Sequence, residues 1–375
     1  MLTSESESRP WPGGFDVIPE SDVVALAGAE ARIYRTLFVT YVLGPDAFIA
    51  IVEPGDRPDG TAVQDRQLLK LTGPFPDEVN TFLLQDLIHR GQPSPATQTA
   101  LLGFVRVEDG CMPLGSIAHG GGGVYDPCEG RLLEYRLHLR HPLPFEALDR
   151  ARPLLHPPPP PSTTWLDLLP DDPVGATRDF IAGWYTDVPP KGHVVVPKSI
   201  PAALASFHTA AAGRDEVLGR QDHLFPPYRL HPGEDGWLEF GAENQGGFVL
   251  AIDPATPDPA VFYRYWADEP IADPHPLSVF LLLFAVYEAS FTGPYRATAD
   301  LTTEQALHLT SGLRKVPLRN RWFPPGDVEF HVGNGLVVQL APNDDATWYT
   351  FTGARHRAHL EPLRHLDIVW STFEG

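Results

Sequence analysis

Apolar positions in the first 150 residues recur mostly with the two-residue period of a half-buried strand. The segment RLLEYRLHLR alternates apolar and polar residues, and four shorter runs are rich in β-branched and aromatic residues. We predict strands at 35–43, 48–52, 67–71, 101–107 and 131–140. Residues 77–90 have helical spacing instead, with acidic residues first, one apolar face and a basic end, as the helix dipole favours. The pattern predicts an N-terminal α+β region.

After residue 165 the pattern predicts a second set of helices and strands. Helices are expected at 176–185 and at 201–212, the latter capped by Ser199 and with proline in its first turn. A strongly apolar segment, 277–291, predicts a buried helix. Asn334-Gly335 lies between two apolar runs, which is the strongest short signal for a hairpin with a type I′ turn. The remaining predictions are strands at 237–240, 248–252, 261–266, 328–340 and 348–352, and an amphipathic helix at 355–365.

Between these regions lies an uninterrupted run of five prolines, Pro157 to Pro161. Such a run adopts stiff polyproline II and cannot enter a helix or a central strand. A chain of 375 residues also exceeds the size at which one core usually stops growing. We therefore predict an α+β protein with two domains, 1–152 and 165–375, joined by a proline-rich linker at 153–164.

The formal net charge of -20 narrows the possible partners. The acidic excess is spread along the chain, with 21 acidic and 12 basic residues in the first 150. Such a field repels nucleic acid and anionic lipid, and it attracts basic proteins. The longest apolar run is too short to cross a bilayer, and the polar N-terminus has no signal-peptide pattern. We expect a cytoplasmic protein that binds neither nucleic acid nor membrane, with an oligomeric state that the sequence leaves open.

Candidate chemistry is sparse. His119 is followed by four glycines, similar to the oxyanion loop of esterases, but no G-x-S-x-G nucleophile motif occurs. The cysteines, Cys111 and Cys128, form no zinc pattern, and His356, His359 and His365 lack the spacing of a metal motif. We predict no metal, no cofactor and no catalytic residue. Two alternatives stay open: a hydrolase that uses the His119 loop, and an adaptor whose proline segment spaces two binding modules.

The C-terminal half, from about residue 176, resembles the SUKH superfamily of α+β modules. The resemblance is carried by an early helix, a strand followed by an E-N-Q-G turn, a "P-x-V" strand, and a helix introduced by L-S-x-F-L. It continues in the tail through an apolar hairpin and a G-A-R segment. The residues involved are Pro201, Leu204, Phe207, Trp237–Phe240, Glu243–Gly246, Pro259–Val261, Leu277–Leu281, Trp322, Pro324-Pro325, Phe330–Gly335, Gly353–Arg355, Leu363 and Val369-Trp370.

This resemblance implies a mainly antiparallel sheet flanked by helices and a non-catalytic role as a bacterial immunity protein that neutralises a polymorphic toxin by stoichiometric binding. Proteins similar to SUKH members bind toxins through a concave sheet face and its loops. Acidic pairs in loops would suit a basic toxin domain, and the E-N-Q-G turn with its neighbouring tryptophan has the composition of a structural scaffold. The predicted partner-binding residues are Glu234, Asp235, Asp268, Glu269, Asp344 and Asp345, and the predicted scaffold residues are Trp237, Glu243, Asn244, Gln245 and Gly246.

Overall fold

A computed structural model describes residues 14–55, 60–89, 98–154, 158–233, 235–264, 269–318, 328–343 and 347–375. The protein is of the mixed α+β class with mainly antiparallel sheets, which confirms the predicted fold class. The chain divides into two compact units, Met1–His156 and Pro157–Gly375. Among the described residues, no helix is both long and apolar enough to cross a membrane.

The N-terminal unit contains a five-stranded sheet with the order β1-β2-β3-β6-β7. All neighbouring pairs are antiparallel except β3 and β6, which are parallel. Helix α1 (Glu20–Ala25) covers one face, where Val23 packs with Ile49 and Phe104. The strands of this sheet are β1 (Arg32–Arg35), β2 (Val39–Leu43), β3 (Ala47–Val52), β6 (Ala100–Val107) and β7 (Gly110–Ser116).

The second sheet of this unit is antiparallel, in the order β4-β5-β9-β8. Helix α2 (Asp77–His89) packs in the core that the two sheets share, and Phe82 stacks on Phe48 of β3 with ring centroids 4.7 Å apart. Helix α3 (Phe145–Ala151) closes the same core. The strands are β4 (Ala62–Val63), β5 (Leu68–Thr72), β8 (Gly122–Asp126) and β9 (Arg131–His138).

In the C-terminal unit, one antiparallel sheet of five strands follows chain order, β10-β11-β12-β13-β14. A bulge lies between Glu239 and Gly241, where the register with β12 shifts. The strands are β10 (Asp222–Leu224), β11 (Leu238–Glu243), β12 (Val249–Ile252), β13 (Ala260–Arg264) and β14 (Ile271–Pro276). We call this the acidic sheet, because of the charge described below.

The other sheet of this unit has the order β16-β17-β18-β19-β15-β20. Its central hairpin turns at Asn334 (φ 52°) and Gly335 (φ 80°), which confirms the predicted type I′ turn. Helix α7 (Thr303–Thr310) follows β15, and a capping box between Thr302 and Gln305 fixes its start. The strands are β15 (Tyr295–Leu301), β16 (Arg314–Lys315), β17 (Glu329–Gly333), β18 (Leu336–Pro342), β19 (Trp348–Ala354) and β20 (Thr372–Phe373).

Helix α6 (Leu277–Thr292) is the centre of the C-terminal unit, and its predicted burial is confirmed. Its Phe280 meets Phe240 of the acidic sheet edge to face, with ring centroids 5.9 Å apart. Asp258 caps its first turn from another loop, because its carboxylate accepts from the Ser278 amide at 2.9 Å and from the Ser278 hydroxyl at 2.7 Å. Helices α4 (Pro173–Trp184) and α5 (Ala202–Ala211) complete the same core.

Three local predictions are wrong. Residues 355–365 form two short 3-10 turns, Arg357–His359 and Glu361–His365, because Pro362 lacks the amide hydrogen that a continuous helix needs. Helix α5 is not capped by Ser199, since its N-cap residue is Pro201 and no side chain caps it. The predicted strand 35–43 is two strands, separated at Thr36, whose amide bonds to the carbonyl of Val39 at 2.9 Å.

From Pro158 onward, the proline segment makes hydrogen bonds with other parts of the C-terminal unit. The Pro158 carbonyl accepts a hydrogen bond from His359 Nε2 at 3.2 Å, and the Thr163 carbonyl accepts one from Arg314 at 3.0 Å. Pro161 and Thr163 also line a pocket together with Trp165. The described part of the predicted linker from Pro158 onward is therefore hydrogen-bonded to residues of the C-terminal unit.

Candidate functional site

The two faces of the acidic sheet differ. Leu238, Leu250 and Tyr263 point into the core of the C-terminal unit and are buried. The opposite face, which we call the outer face, carries Glu239, Val249, Phe262, Arg264 and Ala272, all exposed or half-buried. Strand register aligns these residues, because Glu239 and Phe262 both face Ala251, and Val249 faces Arg264. Ala272 of β14 pairs with Phe262, so four adjacent strands contribute to the outer face.

An aromatic pair lies on this outer face beside an arginine. Trp237 and Phe262 meet edge to face, with ring centroids 5.0 Å apart. The Arg264 guanidinium lies 5.9 Å from the Trp237 ring and pairs with Asp235 at 3.0 Å and Glu239 at 3.5 Å. Tryptophan and arginine are the residue types that dominate binding energy at protein interfaces, and both are half-buried here. The outer face therefore has the composition of a binding surface.

The segment that forms the acidic sheet carries a large share of the negative charge of the whole chain. Residues 221–276 contain ten acidic and two basic residues, a net charge of -8 with histidine neutral, compared with -20 for the whole chain. Asp273 is buried and accepts from the Tyr263 hydroxyl at 2.8 Å, and burial raises its pKa above the ordinary value. A surface of this kind favours a basic protein partner. The exposed acidic residues are Asp235, Glu239, Asp253, Asp258 and Glu269.

Two of the six predicted partner-binding residues can be placed. Asp235 is exposed in the turn before β11, where it accepts from the Trp237 amide at 3.1 Å and pairs with Arg264. Glu269 is exposed just before β14. The structure thus puts both in loops that border the acidic sheet. The other four, Glu234, Asp268, Asp344 and Asp345, lie outside the described residues, as do Trp322 and Pro324-Pro325 of the SUKH-like tail.

The predicted scaffold turn is held by local hydrogen bonds. The Glu243 carboxylate accepts from the Gln245 amide at 2.8 Å and from the Gly247 amide at 3.0 Å. Asn244 ties the turn to Gln221 through its backbone amide at 3.0 Å and its side chain at 3.2 Å. Gly246 has a φ of 77°, a conformation that glycine adopts without strain. Trp237, by contrast, lies on the outer face, away from this turn's hydrogen bonds.

A buried polar centre in the N-terminal unit escaped the sequence predictions. Asp86 of α2 is fully buried and accepts three hydrogen bonds, from Tyr135 Oη at 2.6 Å, His119 Nδ1 at 2.8 Å and the Gly120 amide at 3.1 Å. Burial alone would raise the pKa of Asp86, but the three donors outweigh it and hold that pKa below its ordinary value. Burial and the hydrogen bond to Asp86 raise the pKa of Tyr135.

The glycine loop beside this centre does not have the geometry of an oxyanion hole. The Gly120 amide is already engaged, because it donates to the Asp86 carboxylate. Gly122 and Gly123 belong to β8 and pair with β9. Among the described residues, no serine, threonine or cysteine forms a hydrogen bond with His119. The loop therefore completes a closed structural centre.

The remaining candidate ligands are dispersed. Cys111 is buried and Cys128 is exposed, and neither forms a disulfide. The His356 and His359 rings lie 6.0 Å apart, but His356 Nδ1 accepts from the Ala358 amide and His359 donates to Pro158. Within the ranges that the structure describes, no group of three or more His, Cys, Asp or Glu side chains is arranged to hold a metal ion.

Comparison with known proteins yields no relative: no family model, no curated protein and no solved structure matches this chain.

Proposed function

We propose that this protein acts by stoichiometric binding of a basic protein, and that its biological role is immunity against a polymorphic toxin in the bacterial cytoplasm. The observation that carries the proposal is the outer face of the acidic sheet, which carries a half-exposed aromatic pair and belongs to a segment, residues 221–276, with a net charge of -8. Acidic charge accelerates the approach of a basic partner, and the aromatic pair supplies apolar contact area once the partner has docked. The resemblance to SUKH modules supports the toxin as that partner.

The proposal includes a two-domain organisation in which the C-terminal unit is a SUKH-like domain. This unit has its own core, built around α6 with the acidic sheet on one side and α4 and α5 packed alongside. Expression of residues 157–375 alone tests this point. A cooperative unfolding transition is expected, whereas a chain that stays unfolded would contradict it.

We favour binding over hydrolysis because the polar groups around Asp86 bond to one another, whereas those of the outer face are exposed. The Asp86–His119 pair resembles the orienting half of a catalytic triad, but the Gly120 amide beside it serves as an internal donor to Asp86. The outer face, in contrast, presents its aromatic and charged groups to the surroundings. The geometry of the described residues therefore suits a protein that binds rather than one that transforms a substrate.

The test is co-expression with the toxin encoded beside this gene, followed by pull-down of the complex. The wild-type protein is expected to protect the host and to co-purify with the toxin in equal amounts. Trp237→Ala should weaken binding by roughly thirtyfold, the effect of losing an interface hot spot of about 2 kcal/mol. Trp348→Ala is the matched control, because Trp348 is also half-buried but lies in the other sheet. Absence of both protection and binding would refute the proposal.

A further inference from the structure

The described part of the chain has eight edge strands, two for each sheet. An exposed edge offers unpaired backbone groups to another chain, and proteins normally prevent such pairing with short strands, charges, prolines or a covering segment. Strands β4, β10, β16 and β20 are at most three residues long, β1 has an arginine at each end, and β14 contains two prolines. Strand β7 is covered, because Cys111 exchanges two backbone hydrogen bonds with Ile18, at 2.8 and 3.0 Å.

Strand β8 is the least protected of these edges. Its five residues, GGVYD, contain no proline and carry one charge, at the end of the strand. One side of β8 pairs with β9, and the other side is the end of the sheet. Val124 and Tyr125 are 48 % and 45 % exposed. The extra residue at the register shift, Leu133, belongs to β9, so β8 itself is regular and can accept another antiparallel strand.

The sequence of β8 is complementary to itself in one antiparallel register. If a two-fold axis passes through Val124, each of the five residues lies opposite a residue of a second copy. Val124 then meets the same valine of the second copy, Gly123 meets Tyr125, and Gly122 meets Asp126. The valines form a β-branched cross-strand pair, and no like charges lie opposite each other. Each large ring lies opposite a glycine.

The pairing of Tyr125 with Gly123 suits the core side of the sheet. A Cβ on Gly123 would lie 2.9 Å from the Glu134 carbonyl and 3.2 Å from both Leu132 and Tyr135, so the strand needs glycine there. Tyr125 lies on the same side as Gly123, since the two residues are two positions apart in one strand. The second copy's Tyr125 would cover the exposed backbone of this glycine, which compensates for the missing side chain.

On the opposite face, Gly122 leaves room for an ion pair between the copies. Gly122 pairs with Arg136 of β9, and a Cβ on Gly122 would meet nothing within 4 Å. The second copy's Asp126 would lie across Gly122, with its Cα about 10 Å from that of Arg136, two strand spacings that an arginine side chain can span. Arg136 also pairs with Glu134 at 2.7 Å, so the contact would extend an existing ion pair.

The hairpin of β8 and β9 also has little net charge. Residues 122–138 contain three acidic and two basic residues, a net charge of -1 with histidine neutral, compared with -20 for the whole chain. The overall charge of two copies opposes their association, but salt screens charges that lie far apart. Contact at this hairpin therefore avoids most of the local repulsion that other parts of the chain would add.

We propose that β8 pairs with β8 of a second copy of this chain, so that the two four-stranded sheets become one antiparallel sheet of eight strands across a two-fold axis. One short strand from each copy gives a small interface, and we expect self-association in the micromolar range rather than a permanent dimer. The proposal is independent of toxin binding, because no residue of the acidic sheet takes part in it.

Sedimentation velocity of the full-length protein over a concentration series, at about 0.15 M salt to screen the overall charge, tests the proposal. We expect a reversible equilibrium between monomer and dimer. Val124→Lys places two like charges opposite each other at the axis and should weaken self-association about tenfold or more. Leu133→Lys is the matched control, because Leu133 is 49 % exposed and lies in β9, away from the axis. A protein that stays monomeric at every concentration, or equal self-association of the two variants, would overturn the proposal.

Disulfide formation tests the position of the axis. Opposite Cα atoms of an antiparallel pair are about 4.5–5.5 Å apart, within reach of a disulfide, whereas the two β9 strands would be about 14 Å apart. In a Cys128→Ser background, which removes the exposed native thiol, Val124→Cys should form a covalent dimer on mild oxidation and Leu133→Cys should not. Equal cross-linking of both variants, or a dimer in which Val124→Cys does not cross-link, would contradict pairing through β8.

Discussion

The Asp86 centre of the N-terminal unit and the outer face of the acidic sheet both combine acidic, aromatic and basic side chains, but they use them in opposite ways. Around Asp86, each donor points inward and the carboxylate is fully buried. On the outer face, Trp237, Phe262 and Arg264 remain half-exposed, and Glu239 is exposed. We therefore expect the Asp86 centre to stabilise the fold, and we propose the outer face as the binding surface.

The largest expected effect comes from breaking the closed centre. Asp86→Ala leaves three donors without their acceptor in a buried site, and we expect it to lower the free energy of unfolding of the N-terminal unit by about 3–5 kcal/mol. Urea unfolding followed by hydrogen exchange of α2 and β9 measures this. Seven of the eight tryptophans follow Pro157, so tryptophan fluorescence reports on the C-terminal unit and serves as the internal control. A loss below about 1 kcal/mol would mean that the centre is not structural.

Acid should lower the stability of the C-terminal unit at a higher pH than that of the N-terminal unit. The buried polar group compared in the first is a neutral histidine, and in the second it is an ionised carboxylate. His208 of α5 is 1 % exposed, its Nε2 has no hydrogen-bond partner among the described residues, and burial lowers its pKa from 6.5 to about 4. Between pH 6.5 and 4 the unfolded chain binds a proton that the folded chain does not, so stability falls with pH by up to about 3 kcal/mol. The lowered pKa of Asp86 has no such effect until the pH falls below its unfolded value, 3.8.

Tryptophan-monitored unfolding at a series of pH values tests this difference. His208→Leu should flatten the profile of the C-terminal unit between pH 6.5 and 4, and Asp86→Asn should leave that part of the profile unchanged. Equal slopes for the wild-type protein and His208→Leu would show that His208 is not the responsible group.

Two glycines with nearly the same φ lie in turns that differ in packing, so the same substitution at each tests the effect of packing. A Cβ on Gly335 (φ 80°) would lie 2.3 Å from the His359 ring, whereas a Cβ on Gly246 (φ 77°) would meet nothing within 4 Å. We therefore expect Gly246→Ala to cost about 1 kcal/mol from backbone strain alone. Gly335→Ala should cost roughly 2 kcal/mol or more, because strain and steric overlap add. Similar losses for both variants in thermal unfolding would contradict this account.

Much of the fold follows from local sequence patterns. The alternating residues of β9, the acidic start of α2, the apolar α6 and the Asn334-Gly335 turn all act over short range, and these elements are present as predicted. Some missed elements also carry a local signal. The capping box Thr302–Gln305 marks the start of α7, and β15 alternates buried with more exposed residues along its length. These could have been recognised from the sequence.

Other features depend on contacts between distant residues. Strand β14 contains Pro274 and Pro276, which a sequence pattern excludes from a sheet but which an edge strand tolerates. Asp86 meets His119 and Tyr135 across 33 and 49 residues, because α2 packs against β9. Charge in loops is visible in a sequence, which is why an exposed position could be expected for Asp235, whereas the aromatic pair beside it required the strand register.

The most direct test of the central claim is the association rate of the neighbouring gene's toxin with two charge-matched triple variants. One variant neutralises the acidic sheet through Asp235→Asn, Glu239→Gln and Glu269→Gln, and the other neutralises exposed acids elsewhere in the same unit through Asp171→Asn, Glu304→Gln and Glu361→Gln. At low salt, we predict that the first variant associates about tenfold more slowly than the wild-type protein and that the second changes little. Equal association rates for the two variants would contradict binding at the outer face.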